Sequence, residues 1–193
     1  MSDRKPIESQ AFLYHLTCLD NLESILTSGL MSRSALRGRF VDVADGEIIN
    51  GRQAYNLQSM VPFHFFAKNP FDGRVLKSHT KKDFCIITVS RELAKRLNWK
   101  IIPQHPLATG KIVELLDYVP GFEKIDWELM NKREYANAAC KSVCMAECLS
   151  PNIVMPSNFA WIFVKDETCK QRVEGLLATK KLHIVVKVNP TML

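Results

Sequence analysis

Strand-like and helix-like patterns interleave irregularly along this chain, in short pieces that follow no fixed period, and that ordering predicts a mixed α+β domain. A strand is predicted at Ala11 to Tyr14, then a loop and a helix from about Leu19 to Ser28. Leu19, Leu22, Ile25 and Leu26 give that helix one apolar face, Asp20 and Glu23 stand at capping-box spacing, and Gly29 supplies the stop. Val61 to Phe66 and Phe84 to Val89 are rich in β-branched and aromatic residues and predict two strands joined by an exposed loop. Ser90 caps a short helix through Leu97, and helical patterns cover about Lys111 to Leu116, Glu123 to Asn131 and Tyr135 to Leu149. The last of these stops at Ser150-Pro151, because the residue before a proline avoids the helical region. Strands are predicted at Ile153 to Met155, Ala160 to Val164 and His183 to Val188, with a helix from about Glu167 to Leu177 between the last two.

Between the first helix and the Val61 strand, Met31 to Met60 is basic and polar with little periodicity, carrying Arg33, Arg37, Arg39 and three glycines. Unpatterned stretches of this length in compact domains usually bind something, so it reads as a functional loop with a short helix around Gly51 to Leu57. The chain as a whole, 193 residues and 47% hydrophobic, suits one domain over residues 1–193 with a real core.

Twenty-six basic residues against 20 acidic ones leave a net charge of +6. That excess favours an anionic partner, nucleic acid or a phosphate-rich cofactor, or else simply keeps the protein soluble. No run approaches the roughly 20 apolar residues of a membrane span, and the N-terminus lacks a continuous apolar core for export, so a cytoplasmic protein is expected. Six scattered cysteines fit a reducing compartment.

Cys140, Cys144 and Cys148 recur every four residues and would share one face of the predicted Tyr135 to Leu149 helix. No Cys-x-x-Cys or His-x-x-x-His pair accompanies them, so core packing is the better reading and no metal is expected. His15 and Thr17 alternate around Leu16 and so share one face of a strand, opposite Tyr14 and Leu16. Two polar side chains there either clamp a hydroxyl-rich or phosphate-bearing ligand or are a satisfied histidine and a turn threonine. Arg52 stands alone among Asn50, Gly51 and Gln53, and His64, between Phe63 and Phe65, either faces away from the core or is hydrogen-bonded within it. Glu147 is the unusual residue: a carboxylate among Val143, Cys144, Met145, Ala146, Cys148 and Leu149. It is either at a helix surface or partly buried and functional, and in a pocket desolvation would favour its neutral form and poise it for proton transfer.

In this order the pieces resemble the DarT family of toxin enzymes, DNA ADP-ribosyltransferases of bacterial toxin–antitoxin and phage-defence systems. Tyr14-His15-Leu16-Thr17, followed by Asn21-Leu22 through Gly29-Leu30, is similar to the family's opening YHxT…NLxxILxxGL segment. Val61-Pro62-Phe63-His64-Phe65 with Asn69-Pro70 resembles VPFYF…SPM, Ile125-Asp126-Trp127 resembles LDW, and Met145-Ala146-Glu147-Cys148-Leu149 resembles the stretch carrying the catalytic glutamate. The resemblance implies two β-sheets holding NAD in a cleft between them, with helices outside. It implies cleavage of NAD at the nicotinamide glycosidic bond and transfer of ADP-ribose to a base in single-stranded DNA, with a cognate antitoxin that reverses or blocks the mark.

Carried onto this chain, the resemblance makes Glu147 catalytic and gives Arg52 a contact to the cofactor and a charge-stabilising role, with Arg39 as its substitute. His15 and Thr17 hold NAD, with Asn21 as a helper. The family often shows several basic residues just before its glutamate, whereas here Lys141 stands alone, so DNA contacts are expected from Arg33, Arg37, Arg39, Lys77, Lys81 and Lys82. The chemistry suits such a set: departing nicotinamide leaves an oxocarbenium-like ribose that a fixed carboxylate stabilises, and the same carboxylate can take a proton from the attacking base. Two other readings stay open from the sequence: the same reaction on RNA or protein, and a non-enzymatic basic nucleic-acid-binding module.

Overall fold

A computed structural model of the chain describes residues 5–36, 40–41, 56–106 and 113–193. The first long strand, β1 (Phe12–Cys18), leads through a single tight turn at Leu19–Asn21 into α1 (Leu22–Ser28). After it come β2 (Val61–His64), α2 (Pro70–Ser78), β3 (Phe84–Ser90), α3 (Arg91–Arg96) and β4 (Lys100–Ile102). The second half contains α4 (Tyr118–Lys124), α5 (Trp127–Lys132), α6 (Ala138–Val143), β5 (Glu147–Ser150), β6 (Trp161–Val164), α7 (Glu167–Thr179) and β7 (Val185–Val188). Helix starts are set by side chains that accept orphan backbone N–H groups: Asn69 for α2, Ser90 for α3, Asp126 for α5, Asn137 for α6 and Asp166 for α7.

Among the described residues, seven strands join one sheet in the order β4-β5-β2-β1-β3-β6-β7. The two sheets implied by the resemblance are therefore two parts of one hydrogen-bonded ladder, but the seam between them is visible. β1 pairs with β3 over its whole length, Phe12 with Ser90 through Cys18 with Phe84, whereas β1 and β2 share the single pair Tyr14 and His64. The short β4-β5-β2 part and the longer β1-β3-β6-β7 part diverge at that point.

Period-2 alternation along β1 and β3 sorts the core into two layers. Leu13, Cys85, Ile87 and Val89 pack with Phe63, Ile101 and Cys148 on one face, and Leu16, Cys18, Phe84 and Ile86 pack with Val75 of α2 on the other. A buried arginine ties the layers to the N-terminal segment. Arg91, 7% exposed, donates to the carbonyls of Phe12, Ile7, Glu8 and Phe65 at 2.8–3.1 Å, and its guanidinium stands over the Phe65, Phe122 and Trp127 rings. Burial pulls its pKa down from the usual arginine value, but the four carbonyls supply acceptors in place of water.

Several sequence expectations change in the folded chain. The helix predicted over Tyr135 to Leu149 ends at Val143. Met145 and Ala146 close a tight turn onto Ser142 and Val143, and Cys148 and Leu149 instead pair with both β2 and β4. Ladder pairing on two sides overrides the local helical spacing. Cys140, Cys144 and Cys148 consequently do not share a helical face, although all six cysteines are buried and free, as core packing requires.

The connection between β2 and β3 is not a plain loop but contains α2, started by Asn69-Pro70. Residues 113–116 are not helical, and Leu116 bridges Ile101 instead. The Glu123 to Asn131 pattern splits into α4 and α5, and the predicted strand at Ile153 to Met155 is reduced to one bridge between Val154 and Leu30. The expected capping box also fails to form: the Asp20 carboxylate accepts from Arg172 Nη2 at 2.8 Å and from the Cys18 thiol at 3.7 Å. Most of the expected helix around Gly51 to Leu57 lies outside the described residues.

Candidate active site

Divergence of β1 from β2 opens a cavity of about 270 Å³ at the seam. Because it passes between the two parts of the sheet, it is bordered by side chains from opposite faces: His15 and Thr17 from one, His64 and Glu147 from the other. α1 and the turn before it contribute Asn21, Ile25 and Gly29. Gly29 has φ +85°, and a Cβ there would meet the Ile153 side chain at 2.5 Å, so the residue that stops α1 also lets the chain turn tightly beside the cavity.

His15 Nδ1 lies 2.7 Å from the Pro62 carbonyl. A carbonyl only accepts, so Nδ1 carries the proton and Nε2 remains an acceptor. Enclosure by protein pushes the imidazole down to about 4, against the effect of the Pro62 hydrogen bond, and the His64 charge lowers it further, so the ring is neutral at physiological pH. Thr17, 5% exposed, sits two residues on in the same strand face, its hydroxyl 3.5 Å from Asn21 Nδ2.

Asn21 lines the cavity and also holds a neighbouring stretch of backbone. Its amide brackets the backbone of Val41, donating to the carbonyl at 2.9 Å and accepting from the N–H at 2.8 Å. Phe40 and Val41, which also line the cavity, are thereby fixed against the α1 start.

Glu147, 7% exposed, opens β5 and is paired across both neighbouring strands, with His64 on β2 and Ile102 on β4. A backbone held from both sides fixes the point from which this side chain enters the cavity. His64, likewise 7% exposed, contacts the Ala146 carbonyl through Nδ1 at 3.2 Å and lies against the Phe71 ring.

Of the residues picked out from sequence, the cavity gathers Glu147, His15, Thr17, Asn21 and Arg33, the last with its guanidinium over the Phe40 ring. Arg37, Arg39 and Arg52 lie outside the described residues. Lys77, Lys81 and Lys82 are exposed at the end of α2 and in the turn before β3 and do not line the cavity, although the Lys82 charge reaches Asp20 on its edge. Sequence reasoning left out Phe71, His105 and Met145, which also line it. Phe71 and Met145 read as core residues by hydropathy, and His105 sits in the aperiodic Pro103-Gln-His-Pro106 segment, where no pattern marks it. A second, larger cavity of about 400 Å³ lies beyond His105 and Pro106 but includes none of His15, Thr17, His64 or Glu147.

The same fold is found in solved structures of DarT. It superposes on Thermus sp. 2.9 DarT in complex with ADP-ribosylated ssDNA with a TM-score of 0.83, at 17% identity over 94% of this chain and 95% of that one. For Thermus sp. 2.9 DarT in complex with NAD+ the TM-score is 0.78, at 15% identity over 95% and 98% of the two chains. A curated relative from Thermosipho africanus (strain H17ap60334), a DNA ADP-ribosyl transferase-DNA ADP-ribosyl glycohydrolase fusion protein, is 23% identical over 187 residues. That match spans 90% of this chain but 47% of the relative, so the chain covers about half the length of the fusion protein. The family model for "ssDNA thymidine ADP-ribosyltransferase, DarT" matches residues 14–193, and the chain belongs to that family.

Proposed function

We propose that the protein transfers ADP-ribose from NAD to a thymine base in single-stranded DNA, with Glu147 as the catalytic carboxylate. The observation that carries this reading is the cavity at the seam, where a strand-clamped Glu147 meets a neutral His15 and a buried Thr17. His15 Nε2 accepts a hydrogen bond from a ribose hydroxyl of NAD, and the Thr17 hydroxyl adds a second polar contact. As the bond from ribose to nicotinamide breaks, its electron pair leaves with nicotinamide and positive charge builds on the ribose. The Glu147 carboxylate stabilises that charge and then accepts the proton lost by the base nitrogen as the new bond forms. Arg52 is assigned a contact to NAD, with Arg39 as the alternative. Arg33, Arg37, Lys77, Lys81 and Lys82 are assigned to the DNA backbone, in keeping with the net charge of +6.

The Thermosipho relative joins a transferase to a DNA ADP-ribosyl glycohydrolase, which supports a partner of glycohydrolase chemistry as the antitoxin that removes the mark. The function is tested by incubating the protein with NAD and paired oligonucleotides, one containing thymidine and one lacking it, followed by mass spectrometry. An ADP-ribose adduct on the thymidine strand alone is the expected result. Nicotinamide release with adducts on RNA or protein instead would move the reading to another acceptor, and no nicotinamide release would leave a binding module.

A further inference from the structure

We propose that Asn21 is a positioning residue for NAD: its amide clasps the backbone of Val41 and so sets the Phe40 ring as a wall of the cavity, against which the nicotinamide ring of the cofactor packs. Asn21 acts through that ring and does not itself touch the cofactor. The inference rests on NAD as the substrate held in this cavity and deepens that reading by naming what holds the leaving group.

Asn21 stands in the tight turn between β1 and α1. An asparagine amide has two N–H donors and one carbonyl oxygen. Both donors are committed within the protein, one to the Val41 carbonyl at 2.9 Å and one to the Thr17 hydroxyl at 3.5 Å, and the oxygen accepts from the Val41 N–H at 2.8 Å. Val41 also settles which way round the amide sits, because its N–H faces Oδ1 and its carbonyl faces Nδ2. Two opposed bonds to the backbone of one residue reproduce, at a single point, the exchange that pairs residues of neighbouring strands. No donor of the amide is left for a ligand, whereas removing the clasp releases Val41 and the ring beside it.

Phe40 is 39% exposed and lines the cavity together with Val41, Leu36 and Arg33. A large ring left that open gains when a ligand ring is laid on it. One face takes the Arg33 guanidinium, 5.7 Å from the ring centroid, which leaves the other for a planar group. The cavity, about 270 Å³, falls below the roughly 300–1,000 Å³ of common ligand sites, so it encloses one end of a dinucleotide. Glu147 lines the same cavity, and under the proposed reaction the enclosed end is therefore the one whose glycosidic bond breaks. The nicotinamide of NAD is a flat ring carrying positive charge, which the π face of phenylalanine attracts electrostatically as well as by contact. That charge is lost when nicotinamide departs, so the wall favours bound NAD over the released ring and its contribution falls on binding rather than on the chemical step.

The test measures NAD and ADP-ribose affinity by calorimetry, and KM and kcat for nicotinamide release, on the full chain as native protein, Phe40→Ala, Phe40→Tyr, Asn21→Ala and the double variant of Asn21→Ala with Phe40→Ala. Phe40→Ala and Asn21→Ala are each expected to weaken NAD binding about ten-fold and to raise KM with kcat little changed. Phe40→Tyr keeps the ring and is expected to bind NAD within about two-fold of native. Because Asn21 acts through the ring, the double variant is expected to be no weaker than Phe40→Ala alone. ADP-ribose, which lacks nicotinamide, is expected to bind Phe40→Ala as it binds the native protein. Unchanged NAD binding by Phe40→Ala, or losses that multiply to about a hundred-fold in the double variant, overturns the inference, since Asn21 then acts on NAD independently of the ring. An equal loss for ADP-ribose and NAD in Phe40→Ala overturns it as well, by placing another part of the cofactor on the ring. Should Asn21→Ala fail to fold, Asn21→Asp, which keeps the acceptor for the Val41 N–H and loses the donors, decides by the same outcomes. A native protein that binds no NAD removes the reading of the cavity and this inference with it, whereas native binding and transfer with independent losses in the variants removes this inference alone.

Discussion

The hydrogen bond of 2.7 Å between His15 Nδ1 and the Pro62 carbonyl spans the gap where β1 and β2 part, and in doing so it decides which ring nitrogen is left as an acceptor. One contact thus serves both the fold and the site: it holds the two parts of the sheet at their seam and presents Nε2 unprotonated.

A first prediction concerns cofactor affinity. His15→Phe keeps a ring in the same space but removes the acceptor, so the KM for NAD is expected to rise by about ten-fold or more, the worth of one well-placed hydrogen bond. Steady-state kinetics with varied NAD check this, and an unchanged KM would show that the ring nitrogen does not touch the cofactor.

The same residue gives the protein a pH signature. Folding lowers the His15 value to about 4, so between that value and the ordinary histidine value of about 6.5 the unfolded chain binds more protons than the folded one. The resulting penalty is absent above that window, grows as pH falls through it, and is complete below it, at on the order of 3 kcal/mol. Asp72 works in the opposite sense, since a carboxyl raised by folding costs stability as pH rises. Urea unfolding of native protein and His15→Phe at pH 7.5 and pH 4.5 isolates the histidine contribution: the loss on acidification is expected to be smaller in the variant.

Arg91 is predicted to be the most sensitive charged residue for stability. Arg91→Met leaves the carbonyls of Phe12, Ile7, Glu8 and Phe65 without their donor inside the core, and a loss of about 3 kcal/mol or more is expected. Thermal and denaturant unfolding measure it, and a loss below 1 kcal/mol would mean that water replaces the guanidinium.

For the basic surface, replacing Lys77, Lys81 and Lys82 together by glutamine is expected to weaken single-stranded DNA binding without changing nicotinamide release in the absence of DNA. If all three contact phosphates, the slope of log K against log salt becomes shallower by about 2. A slope equal to that of the native protein would place the DNA path elsewhere.

How far the sequence reached follows from which forces are local. α1 with its Gly29 stop, α3 with its Ser90 cap and α7 were legible because their signals lie within one or two turns of chain. The opposed faces of His15 and Leu16 were legible for the same reason, since alternation is a property of the strand itself. Glu147 stood out as a carboxylate in apolar company and is buried, but on a strand rather than on the predicted helix. Its strand exists because β2 and β4 flank it, and neither partner is near it in sequence. β4 itself, three residues long, carries too little pattern to be seen. α2 was missed for a different reason: it starts at Asn69-Pro70 in a segment that reads as a loop.

The central claim is that Glu147 performs the chemistry while the rest of the cavity holds NAD. The most direct measurement compares native protein with Glu147→Ala in two readouts from one preparation, NAD binding by calorimetry and ADP-ribose transfer to a thymidine-containing single strand by mass spectrometry. NAD affinity within a few-fold of native together with a loss of transfer of about a thousand-fold or more is the predicted result, as expected for a group that acts mainly in the transition state. Transfer at a near-native rate by Glu147→Ala would contradict the account.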